Sequence, residues 1–264
     1  MTKVTYQVLP GEAITDDILR QCAALFSNHY AVWNPKAEKA SDGKLVQGTR
    51  VKASPKFFKT QYISNDAIIA IVGTGEVIVG HAIAAICQDN EELNGVTPVI
   101  PTLTEAKVLW ITQLVVHREY RGQGYASNLL RALVLSQNPV IVGIASSHPH
   151  GIIALKKASM AIMDKKFIRR NIRRILTLCN VEYLVNKPLV GTLLRSLPLP
   201  RMGYPRLQVN TEFHIDHTEP LSALASLPLD VKWQLGPLLD GHEFIVIFRV
   251  GSNRRGAQTT ETSD

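Results

Sequence analysis

The chain has 264 residues, 45% of them hydrophobic and 19% charged, which is apolar content enough for a sizeable core and too much for a chain disordered throughout. Its 29 Lys and Arg outnumber 22 Asp and Glu, so the net charge is +7 and the pI is near 9.4, a balance that favours anionic partners such as nucleotides, CoA or nucleic acid. Three distant cysteines, Cys22, Cys87 and Cys179, show no CxxC or nearby His spacing. They indicate neither a disulfide framework nor a zinc site and read as inert thiols in a reducing compartment.

The N-terminal MTKVTYQVLPGEAITDD lacks a basic region followed by a long apolar stretch and does not read as a signal peptide. The most apolar segment, Ala67 to Cys87, is broken by Gly73-Thr74-Gly75-Glu76 and contains His81, which argues against a membrane span. The expectation is a cytoplasmic protein, with the nucleus left open.

In chain order, Val4 to Leu9 alternates as a strand, and Thr15-Asp16-Asp17 starts a helix through Ile18, Leu19, Cys22, Leu25 and Phe26 that ends near Asn34-Pro35. Residues 36 to 56 have weak periodicity, and Pro55 to Tyr62 form a short predicted helix. The apolar runs at 67 to 72 and 77 to 87, parted by a glycine-containing break, predict an antiparallel hairpin. Asp89 to Thr104, with Asn94-Gly95 and two prolines, reads as a loop. Lys107 to Val116 reads as a buried strand, Ser127 to Ser136 as a helix, Pro139 to Ala145 as a strand, and Gly151 to Met163 as a helix. That order is a βαβα unit with Gly122 and Gly124 at its first turn.

From 164 to 208 the rhythm changes. Phe167, Ile168, Ile172, Ile175 and Leu176 fall on one side of a predicted helix, with Arg169, Arg170, Arg173 and Arg174 on the other. The basic side reads as a solvated face, with an anionic ligand or a membrane surface as the other reading, and nothing in the pattern points clearly to nucleic acid. Glu212 to Asp216 and Glu243 to Val250 are predicted strands, and GSNRRGAQTTETSD, residues 251 to 264, reads as a disordered tail. Residues 1 to 250 are expected to form a single domain, with 164 to 208 inserted before the last strands.

The informative stretch is HREYRGQGYASNLL, residues 117 to 130. Arg121-Gly122-Gln123-Gly124 lacks the spacing of a dinucleotide fingerprint and the GK[ST] of a Walker loop. It fits R/Q-x-x-G-x-G/A, and the strand Leu109 to Val116, the connector His117 to Tyr120, the glycine turn and the leucine helix follow in the order found in one family. In this the chain resembles the GNAT superfamily of acyl-CoA-dependent N-acyltransferases. Glycines let a backbone approach an oxygen cluster, and a helix N-terminus offers unpaired N–H groups carrying a partial positive charge.

The resemblance implies an α/β (α+β) GNAT fold: a mixed, mostly antiparallel central sheet flanked by helices. It implies acetyl-CoA or another acyl-CoA as co-substrate, no metal, and a small-molecule or peptide amine as acceptor. Arg121, Gly122, Gln123, Gly124, Tyr125, Ala126 and Ser127 would cradle the CoA pyrophosphate through backbone amides. Leu114, Val115 and Val116 would hydrogen-bond the pantetheine arm like a neighbouring strand.

The chemistry departs from the family pattern. An amine with a pKa of about 10.4 must lose a proton before it attacks a thioester, yet the strand positions where the family places Glu or His hold Trp110, Thr112 and Gln113. The stretch Ile152 to Met163, where a Tyr acid is usual, has no Tyr. His148 and His150, in SSHPHG at the end of the next strand, are the acid/base candidates, and Thr112 or Gln113 can relay a proton through water. A CoA-binding sensor or scaffold without turnover is the alternative. His81 reads as a satisfied core histidine. His214, Asp216 and His217 form a weak metal pattern, because strand alternation separates His217 from the other two. Tyr30, Trp33 and Tyr62 fall where this fold commonly lines the acceptor side.

Overall fold

The computed structural model describes residues 4–64, 66–88, 107–194 and 206–251. The loop expected at 89 to 104 and the tail expected beyond residue 251 lie outside the described residues.

Strands β1 (Val4–Pro10), β2 (Ala67–Thr74), β3 (Val77–Gln88), β4 (Lys107–Val116), β5 (Ile141–Ser146), β6 (Leu189–Val190), β7 (Gln208–Asn210) and β8 (His242–Arg249) form one sheet in the order β1-β2-β3-β4-β5-β8-β7-β6. Among the described strands every neighbouring pair is antiparallel except β4 and β5. A parallel pair needs a crossover, supplied by helix α4 (Tyr125–Gln137). This is the mixed, mostly antiparallel architecture that the resemblance implies.

Strand alternation sorts the two faces. A Cβ on Gly80 would meet Leu129 of α4 at 3.2 Å, and one on Gly151 of α5 (Pro149–Ala158) would meet Ser146 at 3.1 Å, so α4 and α5 cover one face. His81, the next residue of β3, turns to the other face and meets the edge of Phe58 from α3 (Pro55–Tyr62) at 5.5 Å. That second face also carries α1 (Asp16–His29) and α6 (Lys165–Cys179). Buried Phe167, Ile168, Ile172, Ile175 and Leu176 pin α6 to the sheet, each contributing about 1.5–3 kcal/mol. Arg169, Arg170 and Arg173 lie exposed opposite, as the periodicity predicts. The Cys87 thiol of β3 neighbours Cys179 at the end of α6, and their contact, with burial, holds the Cys179 thiol neutral.

Four boundaries differ from the sequence reading. The first helix ends at His29, and Asn34-Pro35 begins a helix rather than stopping one: the Asn34 side chain accepts from the N–H of Lys36 and Ala37 at 2.9 and 3.1 Å, capping α2 (Pro35–Ala40). Helix α5 stops at Ala158, since Met160 takes a left-handed φ of 52°. Glu212 to Asp216 is no strand, because Glu212 at φ 58° breaks the extended backbone; the paired strand is β7, just before it. Parts of the stretch between 164 and 208 therefore lie in the sheet, as β6 and the start of β7.

His81 is fully buried with no partner for either ring nitrogen among the described residues, and burial pushes its pKa down to about 3. It is a core histidine, as expected, but an unsatisfied one. The unfolded chain takes up a proton near pH 6.5 that the folded chain refuses, so stability present above that pH is lost as pH falls toward 3. Urea denaturation is expected to show His81 contributing about 2 kcal/mol of loss between pH 7 and pH 5. His81→Leu should flatten that part of the pH dependence.

Candidate functional site

The only parallel pairing among the described strands is brief. β4 and β5 are in register from Val108 with Ile141 to Ile111 with Ile144, and then part. At the parting point Thr112 is an extra residue: Ile83 of β3 pairs with Gln113 and Ala84 with Ile111. The Thr112 hydroxyl fills the gap by donating to the Ile83 carbonyl at 3.2 Å. Such a bulge bends its strand and adds twist, which carries the end of β4 away from β5.

Beyond the bulge, β4 is hydrogen-bonded on one side only. The His117 N–H donates to the Val79 carbonyl of β3 at 2.8 Å, so by alternation the N–H and C=O groups of Leu114 and Val116 point away from β3, into the parting. The Val116 carbonyl is taken by Arg121 Nε at 3.1 Å. Leu114 N–H, Leu114 C=O and Val116 N–H remain for a ligand that lies along the strand. Val115 is buried toward α1.

The glycine turn follows. Gly122 and Gly124 have φ of 74° and 84°, values that L side chains rarely adopt, and a Cβ on either would meet nothing within 4 Å. The glycines therefore serve the backbone path and leave open space before it. Helices α1, α2, α3, α5 and α6 begin with a side chain accepting a first-turn N–H, from Thr15, Asn34, Ser54, His148 and Asp164. Helix α4 begins at Gly124, which has no side chain to cap with, so the N–H groups of Tyr125, Ala126 and Ser127 face the open space.

Positive charge gathers behind them. His29 is held below the usual histidine range by burial and by His117, Arg121, Arg50 and Arg118 around it. Gln123 turns back to the Glu119 carbonyl at 2.8 Å. Arg121 does not reach into the space: its guanidinium bonds the Val116 carbonyl, the His29 carbonyl and Glu219 of α7 (Thr218–Ala225), and its own N–H goes to the Arg118 carbonyl at 3.2 Å. It ties β4, α1 and α7 together.

The predicted acid/base histidines sit beside that tie. His148 caps α5, its Nδ1 accepting from the His150 N–H at 3.3 Å, and its Nε2 lies 4.0 Å from Glu219. Burial, with His150 and against Glu219, brings its pKa down to about 4, so it is neutral at pH 7. Gln113 faces a different set, beyond the bulge and next to Tyr62. The structure groups His148 and His150 with the Arg121 tie, and Gln113 with a buried centre.

That centre holds residues the sequence reading missed. Glu243, at the head of β8, is 6% exposed, and burial pushes its carboxyl up to about 7 despite a hydrogen bond from Thr211. Its charge reaches Tyr30 at the end of α1, Tyr62 of α3 and Tyr183 after α6, and burial first and Glu243 second hold the Tyr30 and Tyr183 phenols neutral well above their usual range. Gln113 Oε1 and Trp110 Nε1 are buried there with no partner meeting hydrogen-bond geometry among the described residues. The signal was present: Glu243 is a lone carboxylate on the alternating face that continues as Ile245 and Ile247.

Next to the centre, Tyr30, Phe213 and Trp33 form an aromatic run with centroids 6.2 and 5.3 Å apart. Trp33 also lines a cavity of about 510 Å³ with Asp216, His217, Leu221 and Asp240. The HxDH residues do not converge: His214 faces Asp240 at 3.7 Å, Asp216 caps Thr218 at 2.7 Å, and His217 stands at the start of α7. Among the described residues no group of three or more His, Cys, Asp or Glu is placed to hold a metal, and no helix is long and apolar enough to cross a membrane.

Replacing Arg121 by Ala frees two carbonyls and the Glu219 carboxylate at once. Chemical denaturation is expected to show a loss of about 1–3 kcal/mol, with faster amide exchange in α7.

Comparison with known proteins falls on the same elements. The acetyltransferase (GNAT) family model matches residues 42–137, which include β2 to β4, the glycine turn and α4. No curated protein matches the chain significantly. Among solved structures the chain is similar to Arabidopsis thaliana NAA60 in complex with acetyl-CoA (17% identity, TM-score 0.41, covering 61% of this chain and 86% of that one). It is also similar to the Escherichia coli ribosomal-protein-S18-alanine N-acetyltransferase (11%, 0.36, 58% and 76%). A third is the aminoglycoside acetyltransferase HMB0005 from an uncultured soil metagenomic sample (15%, 0.39, 61% and 93%). At these identities and TM-scores the likeness bears on neither substrate nor mechanism. The family model covers β4 with its bulge, the glycine turn and the uncapped α4, and over that stretch the chain is similar to the acetyltransferase (GNAT) family.

Proposed function

We propose that the chain binds acetyl-CoA in the parting between β4 and β5 and transfers the acetyl group directly to an amine. The observation that carries this reading is the open N-terminus of α4 behind two left-handed glycines, backed by a positively charged cluster. A pyrophosphate fits there because its oxygens need N–H donors and a positive field, and a backbone without Cβ atoms lets them come close. The pantetheine arm then lies along β4, pairing with Leu114 and Val116 as a strand would. The thioester carbonyl comes to the bulge at Thr112, where strand amides can polarise it.

Direct transfer is favoured over a covalent acyl-enzyme because the Cys22 and Cys179 thiols are poor nucleophiles. Burial raises Cys22 to about 12, and Cys179 is held neutral by its Cys87 contact and by burial. The aromatic run Tyr30, Phe213 and Trp33 and its neighbouring cavity form the approach for the amine, a small molecule or a peptide end. Gln113 faces the reacting centre, and His148 and His150 hold the rim. A CoA-binding role without turnover is favoured by one observation, that β4 itself carries no base at Trp110, Thr112 or Gln113.

Two measurements separate these readings. Calorimetry with acetyl-CoA is expected to give a Kd that Gly124→Glu weakens at least ~10-fold, or ~1.4 kcal/mol, by setting a carboxylate against the pyrophosphate. Gly124→Asn, which tolerates the left-handed backbone without adding charge, should stay within about threefold of wild type. Unchanged binding in Gly124→Glu would remove the cradle. Thiol release with acetyl-CoA and a panel of kanamycin, spermidine, an alanine-initiated peptide and a lysine peptide then reads transfer, and binding without release on any amine supports the non-catalytic role.

A further inference from the structure

The reading of acetyl transfer leaves unanswered which group takes the proton from the acceptor ammonium. Strand register identifies a candidate. A Cβ on Gly143 would meet both the Trp110 ring, at 2.3 Å, and Ile247 Cγ2, at 3.2 Å, so Trp110, Gly143 and Ile247 share a face. Along β8, Ile245 and Glu243 continue that face. Along β4, Trp110 pairs with Ala85 and Gln113 with Ile83, two residues of one face of β3, so the extra Thr112 returns Gln113 to the side of Trp110. Glu243 and Gln113 therefore look into the same space from opposite banks of the parting.

The last rung between β5 and β8 is Ser146 with Phe244, so Glu243 stands one residue beyond it, where β5 no longer covers β8. Two strand spacings, roughly 10 Å, separate β4 from β8 where all three strands still pair. Beyond the parting that width holds a thioester carbonyl on the β4 side and a nitrogen on the β8 side. A second observation points to the nitrogen: Gln113 Oε1, 7% exposed at residue level, has no partner among the described residues and is an acceptor suited to an amine N–H.

We propose that Glu243 is the general base of the transfer, receiving the proton of the acceptor ammonium while Gln113 Oε1 orients the nitrogen. The proposal rests on the acetyl-CoA reading given above. A Glu243 oxygen takes one N–H proton of the ammonium, and the freed lone pair attacks the thioester carbon. The C–N bond forms as the C=O π pair moves to oxygen. That pair then returns, the C–S bond breaks, and the second nitrogen proton passes to the departing thiolate. Glu243 releases its proton to water, so the products are the acetamide, CoA thiol and one proton.

The surroundings suit the role. Among the described residues, the titratable groups that feel Glu243 are the phenols of Tyr30, Tyr62 and Tyr183, facing it from α1, α3 and the segment after α6, and all are neutral at pH 7; Thr211 gives it a hydrogen bond. Among the described residues no cation acts on it, so burial decides, and a carboxyl near 7 is matched to proton transfer at neutral pH.

The test measures acetyl-CoA turnover on the four-amine panel across pH, with calorimetry of acetyl-CoA alongside. Since the ionised carboxylate is the active form, kcat/KM should rise about tenfold per pH unit below 7 and flatten above it. Glu243→Gln should lower kcat at least ~100-fold and abolish that limb while leaving acetyl-CoA binding within about threefold, and Glu243→Asp should fall between. A Glu243→Gln enzyme with kcat within about fivefold of wild type, or with the limb intact, overturns the assignment. Should none of the four amines be turned over, carboxyl carbon NMR of the acetyl-CoA complex, assigned by the signal lost in Glu243→Gln, decides: a midpoint near 7 supports the base and one at an ordinary carboxylate value overturns it. Loss of acetyl-CoA binding in wild type would instead strike the donor reading, and calorimetry shows that separately.

Discussion

The parting of β4 and β5 is the constraint on which the site depends. Two parallel strands that pair for four rungs and then separate leave a strip of unpaired backbone inside an otherwise continuous sheet. Unpaired peptide groups in a protein interior are costly unless something satisfies them. Here the cost is concentrated at Leu114 and Val116, and Arg121 already relieves one carbonyl. The bulge at Thr112 makes the separation local, so the strands remain packed below it and diverge above it.

The site divides into two electrostatic regions along that strip. At the outer end, open N–H groups of α4 and the charges of Arg50, Arg118 and Arg121 make a field suited to an anion. At the inner end, apolar walls and three neutral phenols surround a single carboxyl that burial drives toward neutrality. One environment binds charge and the other moves a proton. The sheet keeps them apart, since the first sits after the end of β4 and the second beyond the last rung between β5 and β8.

What the sequence makes legible follows from locality. The glycine turn is readable because its residue types, its left-handed backbone and its helix start lie within ten residues of one another. The apolar and basic sides of α6 are readable because helical spacing alone separates Phe167 and Ile168 from Arg169 and Arg170. Asn34-Pro35 misleads because the same dipeptide that stops one helix caps the next. The buried centre is harder to see. It needs β8 to enter the sheet beside β5, and it needs an extra residue at Thr112 to turn Gln113 toward Glu243. The carboxylate at the head of Phe244-Ile245-Val246-Ile247-Phe248 was visible as an oddity, but its partners come from α1, α3 and the segment after α6.

The position of β8 also governs how the protein is assembled. This strand, late in the chain, lies between β5 and β7 rather than at an edge. Until residues 242 to 249 are made, β5 exposes a full row of peptide groups and an apolar face, the kind of edge that invites pairing with another chain. The sheet from β1 to β5 can form early from near neighbours, whereas its closure waits on contacts distant in sequence, which are the slow ones. The strand that brings Glu243 into place is thus also the one that seals the growing sheet against misassociation.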